Sequence, residues 1–230
     1  MGNGGGAKGR RAKRCFNDGP GHVSCVGHRP CYSVFACGGP YATTAGAEPM
    51  MKHDLARARQ LVKESGYDGR PIVVIHVTDF PHLDHAALVT RQRLEAIGFN
   101  VELKAMDWAT NLTVRASKEP PSKGGWNILH TWFLATDVMS PAVHFGLSGA
   151  GADAWSGWPD IPQLEKLTTE WVRATDQAKR KQLSDEIQTV ALREVAYVPW
   201  GEWVWPTAFR KNVHGILKFT APVFWNVTIT

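Results

Sequence analysis

The sequence lacks the long apolar runs and short motifs by which membrane proteins and many enzymes are recognised. No stretch approaches the ~20 consecutive apolar residues that a membrane-spanning helix needs. There is no G-x-S-x-G motif, no glycine-rich phosphate loop after a strand, and no C-x-x-C pair for zinc. Paired carboxylates are also missing near the centre of the chain, where Asp137 and Asp153 stand sixteen residues apart. These absences indicate a protein that is not an enzyme and needs no cofactor.

One pair of histidines could contribute to a metal site. His82 and His85 stand three residues apart at a predicted helix start, which could place both rings on one face. The local sequence offers no third ligand, and an exposed helix start explains the two histidines equally well. The sequence therefore predicts no metal site.

Cysteine is confined to the first 37 residues, as Cys15, Cys25, Cys31 and Cys37. Cys31 and Cys37 flank a short apolar stretch and could close a small disulfide loop in an oxidising compartment. Free thiols in the cytoplasm are the alternative, and the sequence leaves both open.

The N-terminal segment, residues 1–27, is rich in glycine and basic residues and has no periodicity. This composition predicts a disordered, solvated tail. It lacks the interleaved aromatic residues of a nucleic-acid surface, so no nucleic-acid partner is expected. No apolar segment follows the basic residues, so the sequence shows no signal peptide and predicts a cytoplasmic chain if it is made as given.

From Asp54 onward, apolar residues follow the periods of alternating helices and strands. Asp54 and Asp107 are predicted N-caps, and Gly98 is a predicted helix stop. This alternation predicts an α/β fold with a parallel or mixed sheet and crossover helices. Asp160 and Gln163 form a D-x-x-Q capping box that predicts the start of a later helix. The predicted strands are 71–77, 100–106 and 127–132.

A long loop after the third predicted strand is the main candidate for function. The stretch runs from Trp126 to Pro159 and carries one acid, Asp137, in the first half of its loop. Such loops hold ligand sites in α/β proteins because the strand fixes the loop and the loop supplies polar groups. Tryptophan is frequent, with ten residues in the chain, and an indole offers an apolar wall and a hydrogen-bond donor. Either core packing or a ligand wall would explain Trp132, Trp155, Trp158 and Trp203.

Several stretches in order resemble one family of transport proteins. They are DLARARQLVKESGYDGRPIVVIHV, RLEAIGFNVELKAMDWAT, GGWNILHTWF and YVPWGEWVWPTAFRKNVHGIL. Together they resemble the extracytoplasmic solute-binding proteins of peptide- and nickel-type ABC importers, known as solute-binding family 5. The resemblance covers roughly residues 30–230 and is specific because many distinctive pieces recur in the same order.

The resemblance implies one lobe of a two-lobe periplasmic binding protein that closes on its ligand by a hinge. Family members are about twice as long, so the chain would lack the N-terminal half. Residues 28–198 would then form the second lobe, and residues 199–230 would be strands that return to the missing first lobe. Those strands would lack partners and expose aromatic residues, namely Trp203, Trp205, Phe224 and Trp225.

The resemblance also implies a ligand site. In peptide binders of the family, an acid in a W-x-x-D-x-x-D-P-like motif anchors the amino group of the ligand, and strand edges pair with the peptide backbone. The corresponding stretch here runs from Trp132 to Pro141, where Asp137 is the available acid and Ser140 replaces the second one. The implied partners are a peptide or similar small solute and the membrane subunits of an importer.

Two other functions remain open from the sequence. The chain could be a remnant or interaction module that self-associates through residues 199–230. It could instead bind an oligosaccharide, because tryptophan walls stack on sugars as well as on apolar side chains.

Overall fold

The computed structural model describes residues 14–17, 23–204, 208–217, 219 and 223–230. The architecture is α/β, with small sheets and helices around two apolar clusters. The strands are β1 Arg14–Asn17, β2 Val23–Arg29, β3 Ile72–Val77, β4 Val101–Met106, β5 Glu202–Val204, β6 Val213–His214 and β7 Thr228–Ile229. The α-helices are α1 Glu48–Lys52, α2 Leu55–Glu64, α3 Pro81–Ile97, α4 Trp108–Val114, α5 Pro162–Arg173 and α6 Gln177–Arg193.

The parallel pair β3 and β4 forms the centre of the first cluster, and α3 is the crossover between them. The predicted caps are confirmed where they are local. Asp54 accepts from Arg57 N at 2.9 Å, and Asp107 accepts from Thr110 N at 2.7 Å. Gly98 ends α3 in the left-handed region, at φ 110°. These signals succeed because a cap depends on residues within one turn.

The third predicted strand, 127–132, is reduced to an isolated parallel bridge between Val74 and Ile128. Before the bridge, the side-chain Oδ1 of Asn127 accepts the Val73 N–H at 2.8 Å. At the bridge, Ile75 N donates to the Ile128 carbonyl at 2.8 Å. Beyond Ile128 the chain leaves the sheet, and Trp132 therefore stands in a loop.

The second cluster is a helix pair, α5 and α6, that buries apolar side chains against the segment around Phe35. The predicted capping box at Asp160 and Gln163 is wrong. Ile161 is the N-cap without a side-chain hydrogen bond, and α5 starts at Pro162, whose fixed φ suits a first helical position. Asp160 instead forms an antiparallel bridge with Ala150.

The chain ends differ from the expectations at several points. β1 and most of β2 lie within residues 1–27, the segment predicted to be disordered, and the end of β2 pairs antiparallel with β5. β6 pairs with β7, so the returning strands have partners within the chain. Phe224 and Trp225 are 72% and 88% exposed, as predicted. Trp205 lies outside the described residues, and the boundaries 28–198 and 199–230 stay predictions.

Candidate functional site

The candidate site is built at the carboxyl ends of β3 and β4, the edge where α/β proteins bind ligands. Two hydrogen bonds hold these ends side by side. Thr78 N donates to the Met106 carbonyl at 3.0 Å, and Trp108 N donates to Asp79 Oδ1 at 2.9 Å. The strand ends therefore fix the start of α4, and with it Trp108.

Aromatic rings from three parts of the chain meet beside this edge, and His82 contacts a ring from each part. Its ring centroid lies 5.6 Å from Phe80, 6.4 Å from Trp132 and 5.6 Å from Trp203. Trp200 extends the row, 6.3 Å from Trp203. We call these five residues the His82 cluster. It joins two predicted site residues, Trp132 and Trp203, from distant parts of the sequence.

Trp203 does not have the exposed position that the sequence predicts. It is half-buried because β5 pairs with β2 and its ring packs on His82 and Trp200. Trp132 keeps 38% of its surface exposed, so it can still contact a ligand.

Trp155 belongs to a second group of aromatic rings, which adjoins the His82 cluster. Its centroid is 5.7 Å from Phe133 and 6.1 Å from Phe145. The Arg115 guanidinium carbon stands 5.6 Å from the Trp155 ring centroid and 6.0 Å from that of Trp108. Trp155 is thus linked to the strand-end edge through Arg115, as well as to the loop through Phe133.

Trp158 stands apart from the other predicted wall residues. Its ring packs at 6.0 Å from Trp126, and Lys118 Nζ lies 5.4 Å above it. Its backbone has φ 48°, an uncommon conformation for a bulky residue, held partly by the bond from Trp158 N to the Trp155 carbonyl at 2.8 Å. The described contacts do not join Trp158 to the His82 cluster.

Asp137 lies in a tight turn after the loop leaves the sheet. Its Oδ2 accepts the Leu134 N–H at 3.1 Å, and its own N–H donates to the Leu134 carbonyl at 2.9 Å. Among the described residues, none donates a hydrogen bond to the second carboxylate oxygen, Oδ1. The carboxylate is half-buried and fixed by one oxygen, which leaves the other able to accept a bond from a ligand.

A buried hydrogen-bond network around His144 lies near this turn. His144 is 3% exposed, and its Nε2 lies 3.0 Å from the Val34 carbonyl and 2.9 Å from the Tyr197 hydroxyl. Burial lowers the pKa of His144 to about 4, against a smaller opposing effect of the Asp137 charge, and burial raises the pKa of Tyr197. Both groups are therefore neutral near pH 7.

The histidine pair makes no metal site in the described part of the chain. His82 packs among aromatic rings, and burial lowers its pKa, whereas His85 is exposed. Across the described residues, no group of three or more His, Cys, Asp or Glu side chains could hold a metal ion.

Sequence reasoning missed the contributions of Phe80, Trp108 and Arg115 to this surface. A usable signal existed for the first two. Each closely follows a predicted strand, and the residues after parallel strands collect at one edge of the sheet. Arg115 had no such signal, because its position depends on a contact with Trp155 across the loop.

An α/β fold with an aromatic surface at its strand ends is compatible with a solute-binding protein. The chain belongs to the bacterial extracellular solute-binding proteins, family 5, whose middle-region model matches residues 27–152. Proteins of this family are transport binding proteins and not enzymes. None of the described helices is both long enough and apolar enough to cross a membrane.

One curated relative is a probable peptide ABC transporter periplasmic-binding protein, y4tO, of Sinorhizobium fredii. It is 32% identical over 174 residues, which are 76% of this chain and 33% of the relative. The chain thus spans about one third of that relative's length.

Two solved structures share the fold. One is a putative peptide-binding protein, AppA, from Clostridium difficile, with a TM-score of 0.65 and 16% identity, covering 89% of this chain and 42% of that one. The other is a dipeptide-binding protein from Pseudoalteromonas sp. SM9913 in complex with Met-Leu. Its TM-score is 0.58 and its identity 18%, over 77% of this chain and 36% of that one.

Proposed function

We propose that this chain supplies one side of the peptide-binding site of a periplasmic solute-binding protein that serves an ABC importer. The observation that carries the proposal is the meeting of Trp203 and Trp132 across His82. It joins the loop after the sheet to the segment that follows the helix pair. A ligand on this surface would contact both segments at once.

In this proposal, the five predicted site residues divide into a wall, an anchor and an outer contact. Trp132 and Trp203 form the apolar wall, Asp137 anchors the amino group of the peptide, and Trp155 extends the wall beyond Phe133. Trp158 is an outer contact, next to Lys118. A buried carboxylate–ammonium hydrogen bond contributes about 1.5–3 kcal/mol, enough to orient a short peptide.

The rest of the site would come from a second lobe. Binding proteins with two lobes trap the ligand by hinge closure. The relatives of this chain are about three times as long as the part matched here. We therefore expect measurable but weak binding by this chain alone, and the membrane subunits of an importer as partners of the longer protein.

The test is a thermal melt with and without a pool of short peptides. A ligand that binds the folded state raises the midpoint by mass action. We expect the pool to raise the midpoint of the wild-type chain, and the W132A and W203A variants to lose most of that shift. W225A is the matched control, because Trp225 is 88% exposed and outside the site. A shift with an oligosaccharide pool and none with peptides would contradict the proposal.

A second candidate function is self-association through the C-terminal strands, residues 199–230. It is favoured by the exposure of Phe224 and Trp225 beside β7. Exposed apolar surface of this kind marks interaction sites. Light scattering on the wild type and on an F224S/W225S variant tests it. A wild-type monomer at high concentration would count against self-association.

A further inference from the structure

We propose that Cys15 and Cys25 form a second disulfide, which fastens strand β2 for its pairing with β5. The chain has four cysteines, and the structure pairs Cys31 with Cys37. Cys15 and Cys25 are therefore the two that remain for each other. They belong to β1 and β2, two adjacent strands whose backbones pair antiparallel. The inference goes beyond the proposed function and does not depend on the identity of the ligand.

The register of the two strands places these cysteines directly opposite each other. Cys15 is the partner of Cys25 in the ladder, one step from the pair Phe16 and Ser24. Directly opposite Cα atoms of antiparallel strands lie about 4.5–5.5 Å apart, whichever of the two alternating pair types they form. A disulfide joins residues whose Cα atoms are about 4.4–6.8 Å apart. The backbone spacing at this position therefore suits a bond.

The alignment is specific to this register. Residues directly opposite each other in a ladder share one face of the sheet. A shift of the pairing by a single residue would put the two cysteines on opposite faces, because successive residues of a strand alternate. The observed register is thus the one that a bond between Cys15 and Cys25 requires.

The bond forms by thiol–disulfide exchange with a disulfide-bearing oxidant, such as oxidised glutathione or an exchange protein. Proteins of the family are extracellular, and disulfides persist in such oxidising compartments. One cysteine thiolate attacks the oxidant and forms a mixed disulfide, and the other thiolate then displaces it. One S–S bond breaks and one forms. The two electrons and two protons of the cysteine thiols end on the oxidant, which becomes two thiols.

The two disulfides bracket the part of β2 that pairs with β5. Residues 27–29 make that pairing, Cys25 lies two residues before them, and Cys31 lies two residues after them. Cross-links on both sides restrict the conformations in which β2 leaves β5. In β5, Trp203 belongs to this ladder, and its ring packs 5.6 Å from that of His82. The proposed bond thereby supports one side of the His82 cluster.

The first experiment counts and maps the disulfides of the full chain after oxidation in a glutathione buffer. We expect no free thiol in the denatured wild type, one in C15S, and none in C15S/C25S or C31S/C37S. Digestion with pepsin at acid pH, where thiols are protonated and exchange is slow, should release a linked fragment that contains Cys15 and Cys25.

The wild-type map decides the bond even if a variant folds poorly. Two free thiols per wild-type chain would overturn the inference. A fragment that joins Cys15 to Cys31 or to Cys37 would overturn it as well, because the register would then not determine the pairing.

The second experiment measures backbone hydrogen exchange by mass spectrometry in the wild-type, C15S/C25S and S24A chains. We expect the stretch with residues 202–204 to exchange about tenfold faster in C15S/C25S, because β2 leaves β5 more often without the cross-link. S24A changes a neighbouring position of β2, keeps both cysteines, and should exchange as the wild type. Helix α6 should exchange equally in all three chains, which separates release of β5 from a general loss of stability.

The two experiments test separate parts of the inference. Equal exchange of residues 202–204 in the wild type and C15S/C25S would leave the bond standing and contradict its support of β5. Faster exchange throughout the C15S/C25S chain, α6 included, would also contradict that support. Neither measurement uses a peptide, so failure of the proposed function would leave both results unchanged.

Discussion

Ala36 donates its backbone N–H to the carbonyl oxygen of Val138 across 3.0 Å, and this bond ties a disulfide loop to the turn that holds Asp137. The loop is closed by Cys31 and Cys37, which the structure pairs. The disulfide thereby resolves the alternative that the sequence left open. It also connects the oxidation state of two cysteines to the position of the candidate ligand acid.

Removal of this disulfide should destabilise the chain. Closing so short a loop is worth about 2 kcal/mol in the chain-entropy model. We expect the C31S/C37S variant to unfold at correspondingly lower urea concentration and to bind peptide more weakly, because the Ala36–Val138 bond loses its support. Adding reductant should shift the wild type in the same direction and shift the C31S/C37S variant less. A C31S/C37S variant as stable as the wild type would contradict this prediction.

We expect the charge of Asp137 to affect the affinity for peptide strongly and the stability of the fold little. In D137N the side-chain oxygen can still accept the Leu134 N–H, so we expect the melting midpoint to change little. Loss of a charged hydrogen bond of about 1.5–3 kcal/mol predicts at least a tenfold weaker affinity for a peptide with a free amino group. An N-acetylated peptide should bind D137N and the wild type equally. D153N is the control, since Asp153 is an exposed acid of the same loop.

Gln188 is a polar residue on which the second cluster depends. It is fully buried, and its amide accepts from Val34 N at 3.0 Å and donates to the Thr43 and Ala45 carbonyls at 2.9 and 3.0 Å. In Q188L these three backbone groups lose their partner, and each buried unsatisfied group costs about 1–3 kcal/mol. We expect a loss of unfolding free energy of about 3 kcal/mol or more by urea titration. Q182L, an exposed change on the same helix, should cost far less.

The parts of this fold that the sequence predicted well are local ones. Asp54, Asp107 and Gly98 act on backbone groups within one helical turn, so their types and spacing are sufficient. The predicted strand at 127–132 keeps only one bridge, between Val74 and Ile128. Apolar periodicity does not show where a chain leaves the sheet.

Only part of the candidate site could be predicted from the sequence, for a related reason. Trp132 and Asp137 lie in one loop, and a loop after a buried strand is itself a signal. The contact between Trp203 and His82 depends on the pairing of β5 with β2, which no local pattern encodes. The same holds for Arg115, whose contact with the Trp155 ring joins residues forty positions apart in the sequence.

Two histidines, the buried His144 and the half-buried His130, should make the chain acid-sensitive. Burial lowers the pKa of His130 to about 4, with a further contribution from the charge of His76, and burial lowers that of His144 to about 4. An unfolded histidine has a pKa of 6.5, so between these values the unfolded state binds more protons and stability rises with pH. The stabilisation is complete above pH 6.5 and is lost as the pH falls towards 4.

At 1.36 kcal/mol per pKa unit, each of these two histidines contributes up to about 3 kcal/mol to this acid-dependent loss. Urea titrations at pH 7.5, 6, 5 and 4.5 would measure it. H130Q and H144Q should each be less stable at pH 7.5 and flatter in their pH dependence. H85Q changes an exposed histidine and should keep the wild-type slope. If H144Q retained the full slope, the pKa of His144 would have to be the same in the folded and unfolded chains, and burial could not be lowering it.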